Sequence, residues 1–310
     1  MNIDNNHNDE IPIYDIFSLL IKKKKFISLV TIIFAIFSVF FSLSLPNIYT
    51  SSSVLSVIDD SGSKNISALA SQYGGLASMA GISLPSASGE DKSSLVIQTL
   101  LSRDFVKRLI ENEGILPGLI AAEGFDKNTM KVIFDDEVFN GSKNLWVRKP
   151  PKNKNKIPSY LEAHEAYIKI ISVSKDKLTG YITLSVDHVS PVFAKDFLSL
   201  VINEINTSIR NRDMQEANDS IAYLKNKLIT TQETDIQYSI NQLIMTQLEK
   251  LMLVNVRGEY IVSPIDNAFI PENKSAPARA IICIILTMIG FMISCIFILI
   301  QHYTSNEISQ

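Results

Sequence analysis

The sequence predicts an α+β fold in which two transmembrane helices flank an extracytoplasmic domain, itself a small membrane-proximal α/β base carrying a long helical, coiled-coil-like arm. Three observations predict it. Two uncharged apolar runs, 26–45 and 280–300, lie near the ends of the 310-residue chain. Between them, short stretches rich in Val, Ile, Tyr and Thr are bounded by turn residues. After Pro191 no Gly or Pro occurs until Gly258, and apolar residues recur at three- and four-residue spacing through that stretch.

The first apolar run, FISLVTIIFAIFSVFFSLSL, matches the roughly 20 residues a spanning helix needs. Its polar residues are Ser and Thr, whose hydroxyls bond back to helix carbonyls. It is longer than a signal-peptide core, and Leu45-Pro46-Asn47 offers no small-residue cleavage site. The second run, AIICIILTMIGFMISCIFILI, is equally free of charge. Lys22, Lys23, Lys24 and Lys25 abut the first run, so the positive-inside rule places the N-terminal side in the cytoplasm. The expected organisation is a cytoplasmic segment 1–25, a span 26–45, an external domain 46–279, a span 280–300 and a cytoplasmic tail 301–310. Lys274 and Arg279 lie on the outer flank of the second span, but a long translocated segment escapes the charge rule.

Within the N-terminal segment, Ile13, Ile16, Phe17, Leu20 and Ile21 predict an amphipathic helix from Asp15 onward. Outside the first span, 49–58 reads as a strand. Residues 66–90 are rich in Gly, Ala and Ser, with Gly74, Gly75 and Gly81 permitting close backbone approach. Lys92 to Glu113 reads as one helix, stopped by Gly114. The stretch 141–158 reads as a basic loop broken by Pro150, Pro151 and Pro158, a solvated charge run in which polyanion binding is the lesser reading. A hairpin is expected from strands Tyr167–Ser174 and Gly180–Asp187, and a return strand from Glu259–Ile265, giving base strands near 49–58, 167–187 and 259–265. The long helix is expected near 191–257, on the order of 100 Å if continuous, with a break plausible at Thr230–Thr234. Leu198, Val201, Ile205, Ile209, Ile221, Leu224 and Leu228 mark its seam, to be packed against its own chain or a neighbouring copy.

The chemistry-bearing residues form no catalytic constellation. Four scattered histidines, His7, His164, His188 and His302, show no metal-ligand spacing. Cys283 and Cys295 both fall in the second span, so the external domain has neither disulfide nor thiol nucleophile. Asp135-Asp136-Glu137 reads as an exposed acidic turn, since consecutive carboxylates diverge. A net charge of −3 argues against a nucleic-acid partner. No cofactor is expected. The short 301–310 tail holds no signalling output domain, so action is expected through the outer domain, the spans or a partner.

Five segments, in order and at matching spacing, resemble the chain-length determinant (Wzz) proteins, or polysaccharide co-polymerases. They are Glu10–Phe17 before the basic cluster, GGLASMAGISL at 74–84 with SRDF at 102–105, ISVSKDKLTGYITLSV at 171–186, MLVNVRGEYIVSPID at 252–266, and IPENKSAPARAIICI at 270–284. The last departs from the family's usual richness in Pro and Lys/Arg: Asn267, Ala276 and Ala278 stand there, leaving Pro271, Pro277 and Arg279.

The resemblance implies an inner-membrane protein with both termini cytoplasmic and a periplasmic main domain, assembled as a ring-like homo-oligomer. It implies a non-catalytic regulator of surface polysaccharide length, above all of lipopolysaccharide O antigen, working with a separate membrane polymerase and a lipid-linked glycan. Pro271, Pro277 and Arg279 are then candidates for polymerase contact or for a rigid linker. The seam residues are candidates for oligomerisation. Two other readings share the layout. One is an activator subunit of a cytoplasmic tyrosine kinase docked by His302-Tyr303-Thr304, and the other is a polysaccharide-export component.

Overall fold

In the computed structural model, residues 21–58, 92–112, 114–256 and 258–307 are described, the last six through their backbone only. The amphipathic stretch before Ile21, the 66–90 segment with Gly74, Gly75 and Gly81, and the side chains of His302, Tyr303 and Thr304 lie outside the described residues. The chain divides into two units, one of residues 1–47 with 275–310 and one of residues 48–274.

Helix α1 (Lys24–Ser44) opens the described chain. Its hydroxyls bond back to helix carbonyls, as for Thr31 Oγ1 to Ile27 O (2.8 Å) and Ser38 Oγ to Ala35 O (2.7 Å).

The second unit is built on a four-stranded antiparallel sheet whose strands lie in the order 171–175, 182–188, 49–57 and 262–266. Central strand β1 (Tyr49–Val57) alternates strictly, turning Tyr49, Ser51, Ser53 and Leu55 inward. The inward serines are satisfied by the returning chain, Ser51 Oγ donating to Phe269 O at 2.7 Å and Ser53 Oγ to Asp266 O at 2.5 Å. The expected single helix 92–113 is two, α2 (Lys92–Leu100) and α3 (Arg103–Leu109), because Ser102 turns extended and caps α3 by accepting from Phe105 N. Gly114 follows at φ 82°, a left-handed position suited to glycine, before α4 (Ile115–Ala121).

Residues 122–146 form two small hairpins absent from the sequence expectation, β2 (Ala122–Asp126) with β3 (Lys131–Phe134) and β4 (Phe139–Asn140) with β5 (Leu145–Trp146). A run of aromatic edges, Phe134–Phe139–Trp146, joins them, with centroids 5.2 and 5.0 Å apart.

The expected strand Tyr167–Ser174 is corrected in its first half. Residues Tyr160–Ile170 form helix α5, and β6 (Ile171–Lys175) begins only after it. A full capping box explains this. Ser159 accepts from Glu162 N while the Glu162 carboxylate accepts from Ser159 N. The turn to β7 (Ile182–His188) is fixed by Asp176, which accepts from the backbone N–H of Leu178 and Thr179, and by Gly180 at φ 75°.

Ser190 caps and Pro191 opens α6 (Pro191–Thr230), whose 40 residues span about 60 Å. The helix expected near 191–257 breaks between Thr230 and Thr234, the stretch at which the sequence suggested a break. Thr231 is extended, the Thr230 and Thr231 hydroxyls bond back to Lys227 O, and α7 (Thr234–Val256) returns antiparallel to α6. Glu216 faces Lys250 at 3.8 Å, and Leu224 packs with Ile240, Leu243 and Ile244. The arm is therefore a helical hairpin.

The N-terminal half of α6 lies on the sheet, where Ala194, Phe197, Leu198, Val201 and Ile205 join Leu55, Leu184, Val186 and the helices α2, α3 and α5 in one core. The return strand β8 (Val262–Asp266) starts later than expected, and the N–H groups of Tyr260, Ile261 and Val262 all go to Asn206 as the chain enters it. Helix α8 (Arg279–Glu307) closes the chain.

Candidate functional site

Among the described residues no group of three His, Cys, Asp or Glu side chains is placed to hold a metal. His188 illustrates why these histidines read as structural. It is buried, its Nδ1 accepts from Ser190 N (3.0 Å), and its Nε2 therefore donates to Gly118 O (3.0 Å). Burial holds its pKa below the ordinary imidazole value, keeping it neutral. His164 bonds through Nε2 with Leu101 O. The carboxylates Asp135, Asp136 and Glu137 form a turn in which Asp135 accepts from Glu137 N.

The candidate functional features are surfaces, and the first is the apolar pair α1 and α8. Both helices are long and apolar enough to cross a membrane. They pack antiparallel in a constant register: Lys23 Nζ donates to Gln301 Oε1 (2.6 Å), Phe26 stacks on Phe297 (5.7 Å), and Phe34 lies over Gly290. Gly290 is what admits Phe34, since a Cβ there would sit 2.5 Å from Phe34 Cβ and Cγ. At the other end Arg279 donates to Asn47 Oδ1 (3.1 Å) and Leu45 O (3.4 Å). A cation is unfavourable at the start of its own helix, but here it meets the C-terminal carbonyls of α1, where the dipole attracts it. Of the basic cluster, Lys22, Lys24 and Lys25 are exposed and Lys23 half-buried. Pro277 and Arg279 belong to this unit, whereas Pro271 is buried in the other.

The second surface is the α6–α7 hairpin. The seam read from sequence is filled within the chain. Leu198, Val201, Ile205 and Ile209 are in the sheet-facing core, and Ile221, Leu224 and Leu228 are covered on the arm, the last two packed with residues of α7. These seven residues do not form a free oligomerisation seam, because α7 folds back and the sheet covers the rest. What remains open is a second stripe on α7: Tyr238 (63% exposed), Met245 (62%), Met252 (66%) and Val256 (84%), with Leu248 beside them. It lies opposite the face of Ile240, Leu243, Ile244 and Val254, so α7 is apolar on two sides. The heptad spacing of Tyr238, Met245 and Met252 was the available sequence signal.

The third surface is the 147–158 loop, which Arg148 organises. Its guanidinium pairs bidentately with Glu162 (2.8 and 3.1 Å) and donates to Lys156 O (2.8 Å) and Asn155 O (2.9 Å). Lys154 reaches the same carboxylate at 3.4 Å. Arg148 above all draws Glu162 down to about 2, and the capping bond from Ser159 N and the charge of Lys154 add to this.

Residues 9–113 match the family model of the chain length determinant protein, Wzz. No curated protein matches the chain. Among solved structures, a full-length bacterial polysaccharide co-polymerase aligns at 12% identity and TM-score 0.40, covering 94% of this chain and 98% of that one. A fragment of WzzB, a polysaccharide co-polymerase from Salmonella Typhimurium, aligns at 12% identity and TM-score 0.32, covering 74% of this chain and 100% of that one. The Wzz match takes in the motifs at 10–17, 74–84 and 102–105, and the segments at 171–186, 252–266 and 270–284 fall beyond it. Over about a third of its length, then, this chain matches the chain length determinant family that its motifs resemble.

Proposed function

We propose that this chain is a non-catalytic regulator of surface polysaccharide chain length, acting as a homo-oligomer beside a separate membrane polymerase, with lipopolysaccharide O antigen as the polymer. The observation that carries the reading is the match of residues 9–113 to the Wzz family. In this reading α1 and α8 span the inner membrane, the Lys22–Lys25 side is cytoplasmic, and residues 48–274 act in the periplasm. The largely uncovered apolar surface of the two helices supports a lipid setting, with Phe40 70% and Met288 63% exposed. The open stripe on α7 supports self-assembly, because an amphipathic hairpin satisfied on one side still presents a second apolar side.

The test is a gel profile of surface polysaccharide from cells with and without the gene, complemented by the intact chain. Deletion is expected to replace a clustered band distribution with a broad or short one, and complementation to restore it. An unchanged profile, or complete loss of surface polymer, sinks the reading and favours a kinase-partner or export role.

A further inference from the structure

The loop that follows β5 concentrates positive charge in a chain of net charge −3. From Val138 to Leu161 there is no Asp or Glu, while Lys143, Arg148, Lys149, Lys152, Lys154 and Lys156 all fall there. The one carboxylate brought to this loop among the described residues, Glu162, is engaged by Arg148 and Lys154. Lys149, Lys152 and Lys156 are left exposed, with no ion pair to them among the described residues.

A flexible run of lysines would spread to relieve its own repulsion, yet this one is held. Arg148 binds the backbone carbonyls of Asn155 and Lys156, closing the loop on itself. Pro150 and Pro151 stiffen the outgoing limb, Lys154 N bonds to Pro151 O at 3.0 Å, and Asn153 takes a left-handed turn at φ 68°. A backbone closed in this way loses little entropy on binding, and an anion relieves the repulsion among the cations it carries.

We propose that the 147–158 loop is a binding surface for an acidic glycan, with Lys149, Lys152 and Lys156 facing its carboxylate or phosphate groups and Arg148 as the positioning residue. The proposal rests on the reading of the chain as a regulator of polysaccharide length. A polymer is favoured over a lipid surface because Pro150 and Pro151 are the only apolar residues between Lys149 and Lys156, the exposed Val147 and Ile157 lying at the two ends of the loop.

The experiment measures binding of the full chain, in neutral detergent, to polygalacturonate, to neutral dextran of equal length and to phosphatidylglycerol vesicles. Polygalacturonate is expected to bind, more weakly as salt rises, with dextran and vesicles inert. The triple variant Lys149→Gln, Lys152→Gln, Lys156→Gln should lose affinity by at least about tenfold while melting like the intact chain, since Lys154 and Arg148 are retained. Arg148→Lys, which keeps the charge but not the fork, should weaken binding as well. Equal binding by the triple variant, equal binding of dextran, or lysine-dependent binding of vesicles alone overturns the proposal. Binding is read on the purified chain and length control in cells, so failure of one is told apart from failure of the other.

Discussion

Asn206 and Val262 form a reciprocal pair: the Asn206 amide donates from Nδ2 to Val262 O at 3.0 Å and accepts at Oδ1 from Val262 N at 3.1 Å. The same oxygen also accepts from Tyr260 N (3.0 Å) and Ile261 N (2.9 Å). One buried side chain on α6 thus receives the chain as it leaves the helical hairpin and enters β8. Replacing Asn206 by Leu strands three N–H groups and a carbonyl in the interior, which should cost about 2–4 kcal/mol. Thermal melting of the full chain in detergent checks this. A melt unchanged from the intact chain would mean that the return segment is fixed by something else.

A second prediction concerns Phe34 and Gly290. Gly290→Ala forces a Cβ against Phe34 and should destabilise the α1–α8 pair by about 1–3 kcal/mol. Adding Phe34→Gly should recover part of that loss, because it removes both the Cβ and the ring that the new methyl meets. Detergent melting of the single and double variants measures the coupling, and simple additivity would contradict the contact.

Acid sensitivity follows from two groups with lowered folded values. Glu162 titrates near 2 in the folded chain against 4.5 unperturbed, so its stabilisation is complete above about pH 4.5 and is lost as pH falls toward 2. His188 is also held below 6.5, so protonation of the unfolded chain begins to erode stability as pH drops through that value. Melting temperature against pH should therefore decline below pH 6.5 and again below 4.5. In Glu162→Gln the lower decline should shrink, and a profile identical to that of the intact chain would count against the Arg148–Glu162 pair.

Tyr167 gives the opposite kind of test. Its phenol is fully buried, edge-on to Phe197 at 6.0 Å, and its hydroxyl has no hydrogen-bond partner among the described residues. Tyr167→Phe should be neutral or stabilising by up to about 1 kcal/mol. Marked destabilisation in the same melt would show that the hydroxyl is satisfied.

These residues also show how far the sequence could be read. The two long apolar helices, β1, β7 and the helix start at Pro191 were legible because each is written in local pattern. Tyr167–Ile170 was not, because YIKI alternates like a strand, and only the Ser159–Glu162 capping box, a signal eight residues upstream, makes it helical. The arm was legible as helix and as a seam. Its partner was not, because a 3-4 pattern does not say whether a neighbouring copy or the chain's own return fills it. Arg148 was hidden in a charge run, where spacing cannot distinguish the residue that organises the loop from those it displays.

The open stripe on α7 leads to the most direct test of the account. The measurement is the surface polysaccharide profile of a deletion strain carrying Met245→Lys with Met252→Lys, expressed at the level of the intact chain. Both residues are more than half exposed, so the fold should tolerate lysine there, while apposition of like stripes should not. The account predicts a broad or short length distribution resembling that of the deletion, with polymer still reaching the surface. Clustered bands indistinguishable from those of the intact chain, from a variant that no longer self-associates, would contradict it.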